Sequence, residues 1–178
     1  MHVERLPLAG ALILTPQIFT DDRGFFAELF ATARYAGHGI TDTFVQDNLS
    51  HSRRDVVRGL HGAASTSKLV QVLAGEAYDV IVDARSDSST YGRWYGVHLR
   101  ASEHRQIYVP QGFLHGFQAL SDEVVFLYKQ SALYDPATER AAIWNDPELG
   151  IDWPLDGRAP ILSAKDAANP PFADLGRA

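Results

Sequence analysis

Cysteine is absent from the chain. That removes disulfides, thiolate metal sites and a cysteine nucleophile from consideration. Also missing is any apolar run near the roughly 18 residues of a membrane span, so no membrane partner is expected. The N-terminal Met1-His2-Val3-Glu4-Arg5 lacks the basic-then-apolar order of a secretory signal, and a cytoplasmic protein is the expectation. Basic charge is in deficit. Sixteen Lys and Arg against 22 Asp and Glu leave a formal net charge of −6, which argues against nucleic acid as a partner. No repeat, low-complexity tract or linker divides the chain, and no stretch carries a long amphipathic helical pattern. What is present is 178 residues, 46% apolar and 21% charged, read as one domain over 1–178 with enough apolar material for a sizeable core.

The apolar residues alternate as strands do. Leu12 to Phe19 reads as a strand interrupted by Pro16 and closed by the turn Asp21-Asp22-Arg23-Gly24. Phe25 to Tyr35 is a short helix or a strand running into a helical turn. Thr43 to Asn48 and Val56 to His61 are strands separated by a polar loop, Ser50 to Arg54. Lys68 to Leu73, Ala77 to Asp83, Trp94 to Arg100, Arg105 to Val109, Phe117 to Leu120 and Val124 to Gln130 follow, punctuated about every ten residues by Gly, Pro, Ser or Asp. The expected fold is all-β, a jelly-roll sandwich or barrel with a few short helices, which leaves few free strand edges. Ile143, Trp144, Ile151 and Trp153 should pin the later segment to it, with fraying after about Asn169.

Chemistry concentrates in Val57-Arg58-Gly59-Leu60-His61-Gly62 and in Lys68, seven residues beyond the histidine. In a regular strand Arg58 and Leu60 share one face, Gly59 and His61 the other. Glycines around such residues suggest close approach of a ligand to the backbone. A His in a β-run has a structural reading, but Arg58 and Lys68 would bind an anionic substrate and stabilise developing negative charge beside a base. Pro110-Gln111-Gly112-Phe113-Leu114-His115 resembles the second cupin motif, P-x-G-x-x-H. A metal-binding cupin needs a first motif with two His separated by one residue, and two residues after His61 stands Ala63, so no metal set assembles and His115 is read as lining a pocket. Ser163-Ala164-Lys165-Asp166 reads first as a helix cap, and alternatively as a carboxylate that orients the His61 imidazole.

Several ordered motifs carry a wider resemblance: Asp22-Arg23-Gly24-Phe25-Phe26 with Glu28; Phe44-Val45-Gln46-Asp47-Asn48; Val57 to His61; Lys68-Leu69-Val70; Ser89-Thr90-Tyr91-Gly92; Pro110 to Phe117 around His115; Tyr128-Lys129 with Tyr134; Trp144-Asn145-Asp146-Pro147; and Leu162-Ser163 with Asp166. From Thr15 to Asp166 the chain resembles the dTDP-4-dehydrorhamnose 3,5-epimerase family, cupin-type jelly rolls acting on nucleotide 4-keto-6-deoxy sugars. The resemblance implies an isomerase for deoxysugar or polysaccharide synthesis that needs neither metal nor redox cofactor. It makes His61 the general base paired with Asp166, Tyr134 the acid on the opposite ring face, and Lys68 the stabiliser of the enolate; by the chemistry of the residues themselves His115, a substrate-binding candidate, could assist Lys68. Arg23, Phe26, Glu28, Gln46, Asn48 and Arg58 match substrate-holding positions. It also implies a homodimer in which the N-terminal strand is exchanged, so that Arg23 and Glu28 act across the interface. One stretch departs: Gly62-Ala63-Ala64-Ser65-Thr66-Ser67 is shorter than in members acting on dTDP-sugars and resembles members using GDP- or CDP-linked 4-keto sugars. Those nucleotides, inversion at C3 or C5 alone, and a non-catalytic nucleotide-sugar-binding cupin stand as alternatives.

Overall fold

The computed structural model describes residues 1–176. Two antiparallel sheets face each other. The first takes β1 (His2–Arg5), β2 (Leu12–Thr15), β10 (Gln106–Val109), β7 (Lys68–Ala74), β12 (Glu123–Gln130) and β5 (Gln46–Arg53), in that spatial order. The second is ordered β13 (Arg140–Ala141), β6 (Val57–Gly62), β11 (Phe113–Ala119), β8 (Glu76–Asp83) and β9 (Trp94–Arg100). A separate ribbon pairs β3 (Ile18–Asp21) with β4 (Gly24–Ala27), and the helices are single turns, α1 (Thr32–Ala36) and α2 (Ala164–Ala167). This is the expected all-β jelly-roll sandwich. Among the described residues no helix is long and apolar enough to cross a membrane.

Ile13, Val70, Val72, Ile81, Leu99, Ile107, Phe117 and Phe126 interdigitate between the sheets, with Phe117 and Phe126 stacked at 4.0 Å between ring centroids. The second sheet is also covered on its outer face. Val57, Leu60, Val80, Val82 and Leu114 pack there against Ala142, Leu149, Trp153 and Phe172, which is why every residue of β11 is buried.

Three expectations change. Residues 50–53 do not form a loop: β5 continues to Arg53 because β12 pairs with it all the way from Gln130↔Gln46 to Glu123↔Arg53. The strand His2–Arg5, not anticipated, adds to the edge of β2. Residues 170–172 are docked rather than frayed, and the expectation of fraying otherwise reaches residues 177–178, outside the described residues: the Pro170 carbonyl accepts from Ile143 N–H, Phe172 N–H donates to Asp146 Oδ2 at 2.7 Å, and the Phe172 ring is buried. Burial of one aromatic and two satisfied backbone groups outweighs the Pro- and Ala-rich composition. Pro16 does interrupt Leu12–Phe19, between β2 and β3.

Candidate active site

β6 and β11 build the floor of the site. Between them the pairing slips: β11 advances two residues, His115 to Phe117, while β6 advances three, His61 to Arg58. The irregularity reverses the expected alternation, so Arg58 and His61 line the same cavity, of about 260 Å³, with Lys68, His115, Tyr128 and Asp166. The glycines serve this strand contact rather than a ligand. A Cβ at Gly59, whose φ is +124°, would lie 2.5 Å from Gly116 Cα, and one at Gly62 would lie 1.9 Å from the Phe113 carbonyl oxygen. A second cavity adjoins the first, sharing His61, Lys68 and Tyr128, and adds Ala63, Thr66, Tyr134 and Glu139.

His61 Nε2 lies 2.7 Å from Asp166 Oδ1, although 105 residues separate them. Both readings of Ser163 to Asp166 hold at once. Ser163 Oγ accepts from the Asp166 backbone N–H at 3.0 Å, capping α2, and the cap aims the Asp166 carboxylate at the imidazole. Burial works to raise the Asp166 pKa, but hydrogen bonds from His61, Ser163 and the Gly59 N–H, with the His61 charge, outweigh it and hold the carboxyl below its ordinary range. An ionised carboxylate only accepts, so in the neutral ring Nε2 carries the hydrogen and Nδ1 is left to take a proton.

Lys68, first residue of β7, sends its ammonium to the His61 carbonyl oxygen at 3.2 Å and lies 5.6 Å from the centre of the Tyr128 ring. Burial pushes its pKa down to about 8, against the opposing pull of Asp79 and Glu139. His115 is buried, its Nε2 2.8 Å from Asp79 Oδ2. Burial also lowers the His115 pKa, with the Asp79 carboxylate resisting. Among the described residues no three His, Asp or Glu side chains gather as metal ligands.

Thus the structure brings together His61, Lys68, Arg58, His115, Tyr134 and Asp166. It does not bring the others to this cleft within the one chain. Arg23 pairs with Asp21, Glu28 pairs with Arg34 at 2.6 Å, and Phe26 points outward, 69% exposed. Gln46 and Asn48 instead form a chain in which Gln46 Oε1 accepts from Tyr134 N–H, Gln46 Nε2 donates to Asn48, and Asn48 donates to Gln130. They hold the backbone of the Tyr134 loop. Sequence reasoning assigned no role to Asp79, Glu139 or Lys165. A signal existed only for Asp79, an acid inside the apolar run Ala77 to Val82, where a buried carboxylate needs a partner.

Known proteins resemble the chain over nearly its whole length. The family described as dTDP-4-dehydrorhamnose 3,5-epimerase matches residues 5–174. The dTDP-4-dehydrorhamnose 3,5-epimerase of Salmonella typhimurium is 45% identical over 174 residues, 96% of this chain and 94% of the relative. The Legionella pneumophila 3,5-epimerase, solved in complex with dTDP-4-keto-L-rhamnose, superposes with a TM-score of 0.93 at 45% identity, covering 98% of this chain and 96% of that one. The Mycobacterium tuberculosis epimerase gives 0.95 at 42% identity, with 99% and 91% covered. With the fold and nearly the whole length in common, this chain belongs to the dTDP-4-dehydrorhamnose 3,5-epimerase family.

Proposed function

We propose that this protein inverts C3 and C5 of a dTDP-linked 4-keto-6-deoxyhexose by proton transfer. The observation that carries the reading is a base–carboxylate pair, an ammonium and a tyrosine converging on one cleft. His61 Nδ1 takes the proton α to the C4 ketone, and Asp166 stabilises the imidazolium through Nε2–H. The C–H electron pair becomes the enolate double bond, and Lys68 stabilises the charge that develops on the ketone oxygen. The Tyr134 hydroxyl returns a proton to the opposite face. Repetition at the second carbon completes the inversion. Arg58 and His115 line the pocket and would hold substrate there. Similarity at 45% identity to relatives named for dTDP sugars supports that nucleotide over GDP or CDP, and a double over a single inversion. Incubation with dTDP-4-keto-6-deoxyglucose in deuterated water, followed by NMR, should place deuterium at both C3 and C5. Incorporation at one carbon, or none, would contradict the proposal.

The same reading includes a homodimer in the cytoplasm. Phe19, Phe25 and Phe26 on the β3–β4 ribbon are 54%, 61% and 69% exposed, an apolar surface on a two-stranded element with its own sheet to neither side. Covering it with a second copy would bury these rings and would carry Arg23, Phe26 and Glu28 to a neighbour's cleft, where Gln46 and Asn48 on the edge strand β5 could also complete the nucleotide site.

A further inference from the structure

Lys165 and Glu139 have no part in the mechanism above, yet they stand where its two proton-transfer groups meet. Lys165 precedes Asp166 on α2 and lines the cavity that holds His61 and Arg58. Its ammonium pairs with Glu139 Oε2. The same carboxylate oxygen lies 3.5 Å from the Tyr134 hydroxyl, and Lys165 Nζ lies 6.0 Å from the centre of the Tyr134 ring. Glu139 is the less accessible partner, its side chain 17% exposed against 54% for Lys165. It directly precedes β13, whose Arg140 and Ala141 pair with Gly62 and His61. One ion pair therefore ties the turn that carries the base's carboxylate to the loop that carries the acid.

We propose that Lys165 is a positioning residue for the proton donor Tyr134: with Glu139 it fixes the phenol and offsets the negative charge left when the phenol gives up its proton. The inference rests on Tyr134 being the acid of the proposed reaction. When the O–H proton passes to the sugar carbon, the O–H electrons remain on the phenolate, beside the carboxylate of Glu139. Two anions there would oppose the transfer, and the Lys165 cation removes that opposition. The phenolate regains a proton from solvent, and no oxidant or reductant is involved. The 3.5 Å separation is long for a hydrogen bond, as such contacts often are before substrate closes the site.

The test separates abstraction from return. Wild type, Lys165→Met, Lys165→Arg, the double variant Lys165→Met/Glu139→Gln and Tyr134→Phe are each given dTDP-4-keto-6-deoxyglucose in deuterated water. Deuterium in recovered substrate is measured against epimer formed. For Lys165→Met, kcat for inversion should fall about tenfold with KM changed less than about twofold. Deuterium should keep entering recovered substrate, because His61 still removes and returns protons on its own face. Lys165→Arg should keep most of the rate, and removing the stranded carboxylate in the double variant should restore part of it. Exchange and inversion falling together would overturn the proposal by placing Lys165 behind Asp166 and His61. A raised KM with kcat intact would also overturn it, marking a diphosphate contact, as would an unchanged Lys165→Met. If Tyr134→Phe itself inverts both centres at the normal rate, the acid assignment fails and the inference with it. If Tyr134→Phe is inactive and Lys165→Met is normal, only the inference fails. Unchanged thermal unfolding of Lys165→Met shows that the half-exposed substitution left the fold intact.

Discussion

Asp166→Asn is the most informative single change to the base. The substitution keeps the size of the side chain and the Ser163 cap, in which the Asp166 backbone N–H donates to Ser163 Oγ. What changes is the direction of the 2.7 Å contact with His61. An amide can present N–H to Nε2, which moves the ring hydrogen to Nδ1, the atom that must be empty to accept a proton. The rate should fall by the full worth of a positioned general base, about 10²- to 10⁴-fold in kcat, or about 3 to 5 kcal/mol of transition-state stabilisation. The assay is the deuterated-water reaction. Here deuterium entry into substrate and epimer formation should decline in parallel, since abstraction itself is lost, in contrast to the pattern expected for Lys165→Met. There is a stability counterpart. The Asp166 carboxyl is held below its ordinary pKa in the folded state, so its contribution is present above the unfolded value near 4 and disappears as pH falls through the folded value. Wild type should therefore lose stability on acidification in a way that Asp166→Asn does not share. Turnover of Asp166→Asn within about twofold of wild type would refute the tautomer argument.

Other outcomes follow from the same geometry. Because Lys68 titrates near 8 in the folded protein, the ammonium that stabilises the enolate is present below that pH and lost above it, so kcat/KM should decline as pH rises through about 8. Lys68→Met should abolish inversion yet raise stability at pH 7 by about 1 kcal/mol or more, since a buried charge no longer has to be desolvated; chemical denaturation measures this. Gly62→Ala should destabilise by about 3 kcal/mol or more, because its Cβ would overlap the Phe113 carbonyl oxygen on the paired strand. Phe26→Glu should shift the molar mass in light scattering from two chains to one and depress turnover, since a charge on the ribbon cannot be buried between copies.

Much of the site could be read along the chain because its parts are local. Arg58, His61 and Lys68 fall within eleven residues, and Ser163 to Asp166 form one capped turn. What escaped reading depends on partners distant in sequence. Arg58 and His61 share a cavity only because β6 carries an extra residue against β11, and strand periodicity assumes no such slip. The glycines of β6 signalled a close approach, but which neighbour approaches depends on sheet order. Glu139 and Lys165 carry no local signal, since nothing in the nearby sequence shows that 26 residues later an ammonium returns to the same carboxylate.

By itself the sequence determined the class of the fold and the kinds of chemistry available. Alternating apolar residues, broken by turn residues about every ten positions, point to stacked antiparallel strands, the lack of cysteine removes thiol chemistry, and the ordered motifs carry a resemblance that implies a base, a cation and an acid. Tertiary structure alone decided which of these groups meet. A strand slip turned Arg58 toward His61, docking of residues 142–172 over the second sheet carried α2 and Asp166 to the imidazole, and the bare β3–β4 ribbon left Arg23, Phe26 and Glu28 outside the cleft of their own chain. The physical reason is that periodicity encodes which face of a strand is buried. Which strand lies opposite, and in what register, depends on how the whole set of apolar faces is buried together.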